Sequence, residues 1–196
     1  MTFIIEQLSH EHLGPISLSM ASGELLTLRG KSGSGKSQLL RALADLDEHN
    51  GEVALQGDTA ASMPAHQWRC RVALLPAESQ WWHDDVIDHF PADYHFNQLG
   101  FTSETATWKM SRLSTGEKQR LALLRLLVNE PKVLLLDEPT ASLDPHNTHL
   151  LEELICNYQS EHQAIVIWVS HDLEQIARLG GRQAMMLDGQ LQEVTP

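Results

Sequence analysis

Short apolar runs bounded by glycine, proline or charged residues set the pattern of this chain. Val133-Leu134-Leu135-Leu136 is unbroken over the length of a strand, as expected for a strand buried on both faces of a parallel sheet. Leu25-Leu26-Thr27-Leu28, Val72-Ala73-Leu74-Leu75 and Ile165-Val166-Ile167-Trp168-Val169 read as further buried strands. Phe3-Ile4-Ile5, Ile16-Ser17-Leu18 and Glu52-Val53-Ala54-Leu55 join Leu25-Leu28 in an N-terminal β portion. Ala184 to Leu191 reads as a hairpin turning at Asp188-Gly189. From Ser37 to Ala44, good helix formers carry leucines at helical spacing. The stretch from Ala77 to Arg112 is the least regular, and no internal repeat is present. Strands alternating with helical segments predict an α/β fold, and 196 residues suit one domain.

Between the strand ending near Gly30 and the helix from Ser37 runs Gly30-Lys31-Ser32-Gly33-Ser34-Gly35-Lys36-Ser37, followed by Gln38. A strand, a glycine-rich turn and a helix opening on Lys-Ser form a phosphate-binding loop: backbone N–H groups and the helix N-terminus wrap around anionic oxygens. Gly30, Gly33 and Gly35 are able to take positive φ and admit a phosphate closely. Lys36 is assigned to the β- and γ-phosphates and Ser37 to the magnesium ion that accompanies the nucleotide. The Val133-Leu136 strand ends in Asp137-Glu138, adjacent carboxylates that are costly to bury without a cation. Ligands of open α/β sheets sit beyond the carboxyl ends of the strands, so both carboxylates should face the phosphate loop. Asp137 is assigned to magnesium and Glu138 to the attacking water. Ser170-His171, after the Ile165-Val169 strand, puts a histidine on the same rim.

Leu113-Ser114-Thr115-Gly116-Glu117-Lys118-Gln119-Arg120 closely resembles the signature peptide of ATP-binding cassette (ABC) ATPases. Pro139 to Asp144 resembles that family's D-loop, and His171 matches its switch histidine. The resemblance runs from about Leu25 to Leu191 and implies a P-loop NTPase core with a mostly parallel sheet, an antiparallel N-terminal β portion and a helical subdomain. Here residues 1–196 would be a single ABC ATPase domain, with a shortened subdomain at about 77–112. The family's mechanism implies a head-to-tail pair, as a homodimer or with another cassette, and ATP held between one phosphate loop and the other signature peptide. Ser114, Thr115, Gly116, Glu117 and Asp144 would then bind nucleotide across that interface, with the helix from about Glu117 to Val128 aimed at the γ-phosphate. Glu138 and His171 would carry hydrolysis, which reopens the pair.

Departures from the family pattern are specific. Ala77 stands where most members have a glutamine that senses magnesium; Gln80 is the candidate replacement, Glu78 a less suitable one, and loss of the contact is the alternative. Thr115 replaces a glycine and would be strained if that position needs positive φ. For the aromatic that stacks on adenine the candidates are Phe3, His10 and His12, with His12 preferred.

Fourteen Lys and Arg against 26 Asp and Glu give a net charge of −12, which argues against nucleic-acid binding and against lying on anionic lipid. No apolar run reaches the ~20 residues of a membrane span. Met1 to Glu6 lacks the regions of a signal peptide, so the expectation is a cytoplasmic chain, peripheral at the inner face of the membrane through a permease. Cys70 and Cys156 suggest buried or idle thiols rather than a disulfide or zinc framework. Trp81, Trp82, Phe90, Tyr94, Phe96, Phe101 and Trp108 concentrate in the irregular stretch, where most would fill a small lobe. Trp81 and Trp82 are candidate anchors for a partner segment. His83, His89 and His95, with Asp84, Asp85 and Asp88, read as solvated surface rather than a metal site. The functional expectation is an ATPase subunit powering a separate permease, with an exporter favoured. The alternatives are a soluble clamp acting on a macromolecule and a weakly active cassette.

Overall fold

The computed structural model describes residues 2–194. Two sheets form its frame. The first is antiparallel, in the order β2-β1-β4-β5, from β1 (Thr2–His10), β2 (Leu13–Ala21), β4 (Asn50–Leu55) and β5 (Asp58–Thr59). Along β2 buried and accessible positions alternate, as in a sheet with one face on the core. The second has the order β10-β9-β3-β8-β7-β6, with β3 (Leu25–Gly30), β6 (Val72–Leu75), β7 (Val133–Asp137), β8 (Ile165–Val169), β9 (Arg182–Leu187) and β10 (Gln190–Val194). Its strands pair in parallel except at the β9–β10 hairpin. Asp188 and Gly189, at φ 46 and 76, form the two-residue turn of that hairpin.

Every residue of β7 and β8 is buried, because the sheet has a core on each side. One core joins its inner face to the antiparallel sheet, α1 (Lys36–Leu43) and Trp68 of α2 (Ala65–Arg71). The other joins its opposite face to α3 (Thr115–Leu127), α4 (Pro145–His162) and the 86–113 segment. Helices α2, α4 and α5 (Leu173–Leu179) went undrawn from the sequence. For α4 a start signal was available: Asp144 caps it by accepting from the Asn147 N–H at 3.0 Å, and proline follows at the first helical position. None of the described helices is long and apolar enough to cross a membrane.

The stretch expected to be a short helical subdomain holds only 3-10 turns at Ile87–His89, Ser103–Thr107 and Met110–Arg112, so α3 is the α-helix against which it packs. Phe96 and Phe101 are buried there, and Phe90, Tyr94 and Trp108 pack beside them. His89, expected on the surface, is buried, its Nε2 against the backbone of His83. Cys70 and Cys156 are unpaired and both exposed, not buried.

Candidate active site

The phosphate loop is bounded as its residues dictate. β3 ends at Gly30, and α1 starts at Lys36 behind Gly35, which caps it at φ 100. That φ is in the left-handed region, and a side chain on Gly35 would also run into Leu13. Lys36 is only 6% exposed, and its Nζ donates to the carbonyls of Gly30 at 2.9 Å and Lys31 at 3.1 Å. No described carboxylate forms a direct ion pair with it, and the nearby Asp137 acts on it only through space. The Ser34 hydroxyl is buried and unpartnered as well. A cavity of about 260 Å3 opens here, lined by Ser32, Gly33, Gly35, Lys36, Ser37, Gln38, Glu138 and His171.

The strand order brings the catalytic candidates to this cavity. β8 lies between β3 and β7, so the ends of all three meet on one rim. Asp137 is the last residue of β7 and is paired with Val169, which lets Glu138 and His171 leave the sheet side by side. His171 Nε2 lies 2.6 Å from Glu138 Oε1. Glu138 has φ 48, a left-handed conformation costing an ordinary residue about 1–2 kcal/mol. Asp137 is 8% exposed, and burial raises its carboxyl above the usual range; the hydrogen bond from Ser37 and the charges of Lys36 and His171 offset this only in part.

The signature residues lie elsewhere. Ser114 caps α3: its Oγ accepts from the Glu117 N–H at 3.2 Å, and Glu117 Oε2 accepts from the Ser114 N–H at 2.9 Å and hydroxyl at 2.8 Å. The hydrogen bond from the Ser114 N–H holds the Glu117 carboxyl below its usual range. Thr115 opens the helix without positive φ, so the expected strain is absent. Neither these residues nor Asp144, engaged as the cap of α4, line the phosphate cavity of their own chain.

Gln80 does not reach the phosphate cavity. It is exposed and lines a separate groove of about 770 Å3 beside Leu46, Trp82, Phe90 and Arg125, and its carbonyl accepts from Arg125 at 3.1 Å. The reason lies in the chain after β6: Gln119 of α3, buried, donates to the Pro76 carbonyl at 2.9 Å and anchors the segment there, upstream of Gln80. Sequence reasoning missed Gln119, and also Gln175, whose amide lies behind the Glu138–His171 rim. His12, by contrast, is next to the loop: its carbonyl packs on Gly189, whose N–H donates to Ser34 O at 3.3 Å.

A nucleotide-phosphate cavity at the carboxyl ends of a largely parallel sheet, with paired acid and histidine on its rim, defines a P-loop nucleotide hydrolase. The chain belongs to the ABC transporter family, whose model matches residues 13–141. It is 35% identical over 181 residues to "Aliphatic sulfonates import ATP-binding protein SsuB 2" of Paracoccus denitrificans, covering 89% of this chain and 71% of that protein. It is also 35% identical over 179 residues to "Probable iron export ATP-binding protein FetA" of Escherichia coli, covering 84% and 80%. Among solved structures, the ATP-binding cassette MJ0796, in a dimeric post-hydrolysis state with ADP and Pi, superposes with TM-score 0.82 at 22% identity over 99% of each chain. An ATP-bound bacterial Atm1-family ABC exporter superposes with the same TM-score of 0.82 at 21% identity, over 98% of this chain and 38% of that one. This chain is an ATP-binding protein and an ATPase of the ABC type.

Proposed function

We propose that the chain pairs head to tail with a second cassette around ATP and powers transport through a separate membrane subunit. The observation that carries this reading is the split site. Lys36, Glu138 and His171 face one phosphate cavity, while Ser114 and Gly116 start a helix outside it. A second copy would bring that helix N-terminus to the γ-phosphate and complete the cage.

Within the pair, Lys36 neutralises phosphate charge, and Ser32, Gly33, Ser34, Gly35 and Gln38 present the loop. Lys36 now spends its donors on Gly30 and Lys31 carbonyls, bonds that phosphate oxygens would replace. The residues fit a magnesium ion: Asp137 is a buried carboxylate of raised proton affinity facing the Ser37 hydroxyl, a hard-oxygen pair that a divalent cation would satisfy. Ser37 and Asp137 would hold it. Magnesium would supply neutralisation of the phosphate oxygens as charge shifts in transfer. Glu138 accepts a proton from the attacking water, and His171, 2.6 Å from it, orients that carboxylate. His12 is the proposed platform for adenine, supported by its place in the chain: its backbone carbonyl lies against Gly189, whose N–H donates to the Ser34 carbonyl of the loop.

For the membrane subunit, the groove beside Trp82 supports a docking role. Trp82 is 67% exposed on its wall and Leu46 is 41% exposed, so apolar surface is offered to a short helix of the partner. Such a chain would sit at the membrane face without crossing it. The relatives include an importer and an exporter by name, so the proposal covers energy coupling and leaves direction open.

The test is light scattering of the Glu138→Gln chain with and without Mg-ATP. A monomer without nucleotide that becomes a dimer with it is expected. A monomer in both conditions overturns the symmetric pair.

A further inference from the structure

We infer that Gln175, on α5, is a positioning residue of the ATPase: its buried amide ties the turn carrying His171 to the turn carrying Glu138, and so sets the distance between them. The inference rests on the assignment of Glu138 and His171 made above.

The Gln175 side chain is 2% exposed, and both ends of its amide are engaged. Oε1 accepts from the Ser170 hydroxyl at 2.7 Å. Nε2 donates to Thr140 Oγ1 at 2.9 Å and to Glu152 Oε1 at 2.8 Å. Ser170 immediately precedes His171 and also accepts from the Asp172 N–H at 3.1 Å. Thr140 belongs to the turn that leaves β7 through Glu138, closed by the Ala141 N–H on the Glu138 carbonyl at 3.1 Å. One planar amide thus bridges the turns after adjacent strands, outside the cavity that Glu138 and His171 line.

Its orientation is determined by its neighbours. Flipping the amide would aim its oxygen at the Glu152 carboxylate and its N–H group at a hydroxyl able to rotate. Glu152 of α4 is itself 7% exposed, and Arg178 binds it through Nη2 at 2.9 Å and Nε at 3.3 Å. That ion pair presents Oε1 to Gln175 and keeps the amide turned. Glu138 is in a left-handed conformation and His171 is half exposed, so neither is held by packing alone.

The test uses the full chain with Mg-ATP. Gln175→Leu keeps the bulk and removes the bridge; kcat should fall by about tenfold or more while affinity for a fluorescent ATP analogue stays within about threefold, because a small misplacement of catalytic groups costs rate, not phosphate binding. Gln175→Glu keeps the shape and, when protonated, can still donate to Glu152; ionised, it accepts from the Ser170 and Thr140 hydroxyls but is pushed off by the facing Glu152 carboxylate, which distorts the bridge. The ionisable groups around it are Glu152, His149 and Arg178 behind, with Asp172, Glu174, Glu138 and His171 toward the rim. Its rate relative to the parent should therefore fall as pH rises from about 6 to 9 while circular dichroism shows it still folded, which loss of packing or of stability alone would not produce. Parent-like kcat, within about twofold, in folded Gln175→Leu or at every pH in Gln175→Glu overturns the inference. If Gln175→Leu fails to fold, Thr140→Val removes one strut and gives the same reading. Glu138→Gln run alongside separates the failures. Parent-rate hydrolysis there removes the base assignment and this inference with it; a dead Glu138→Gln beside parent-rate Gln175 variants removes this inference alone.

Discussion

A side chain on Gly116 would place its first carbon 2.8 Å from the carbonyl oxygen of Ser142, so the start of the signature helix rests directly on the D-loop backbone. Gly116 has ordinary helical geometry; what it supplies is close approach. Gly116→Ala sets two effects against each other. Helix propensity favours alanine by about 1 kcal/mol, whereas overpacking against a backbone atom costs about 1–3 kcal/mol. Overpacking should win because a carbonyl in a tight turn cannot rotate away. The denaturant midpoint is expected to fall, and a rise would mean that the D-loop yields.

Lys36 and Glu138 should separate binding from chemistry. Removing the charge with Lys36→Met should weaken nucleotide affinity, because nothing else described at the cavity supplies a buried cation. Glu138→Gln should retain ATP and lose about 100-fold or more in turnover, in the range for a general base. Equilibrium titration and steady-state hydrolysis read the two effects, and parent-rate hydrolysis by Glu138→Gln would contradict the assignment.

Asp137 should destabilise the empty chain. Burial raises its carboxyl above the ordinary aspartate range. Well below the ordinary aspartate range it is protonated folded and unfolded alike and costs nothing; as pH rises from that range toward the folded value the cost of ionising it in place grows, and above the folded value it is fully present. Asp137→Asn should therefore melt at an equal or higher temperature than the parent without ligand, yet gain less on adding Mg-ATP. A lower melting temperature in the empty variant would show that Asp137 is already satisfied by its neighbours.

The tryptophans should divide by burial. Trp68 is fully buried and donates through Nε1 to the Leu43 carbonyl at 2.9 Å, so Trp68→Ala should cost about 3–5 kcal/mol. Trp81, partly buried between His89 and the guanidinium of Arg125, should cost less, about 1–3 kcal/mol. Trp82 is 67% exposed, and Trp82→Ala should change stability by about 0.5 kcal/mol or less. Denaturant midpoints check the order. A large loss at Trp82 would remove the reason for placing a partner beside it.

The parts legible in the chain are those whose partners are near in sequence. Gly30 to Ser37 encodes its turn through glycines and its helix start through neighbouring residues. The runs Val133–Leu136 and Ile165–Val169 announce burial on both faces because every position is apolar. Asp188-Gly189 encodes its own turn. The 77–112 stretch was legible only as irregular, since its 3-10 turns are held by aromatic contacts such as Phe90 with Phe96 and by α3.

By itself, then, the sequence determined the phosphate loop, the acid pair after β7 and the parallel α/β fold, because those follow from φ preferences and periodicity acting over a few residues. Only the tertiary structure decided that His171 meets Glu138, that Thr115 is unstrained, that Gly116 is reserved for Ser142, and that Gln80 turns toward the groove while Gln119 and Gln175 are buried at junctions. Those outcomes depend on the strand order β3-β8-β7-β6, which sets residues far apart in the chain side by side at distances that no local preference encodes.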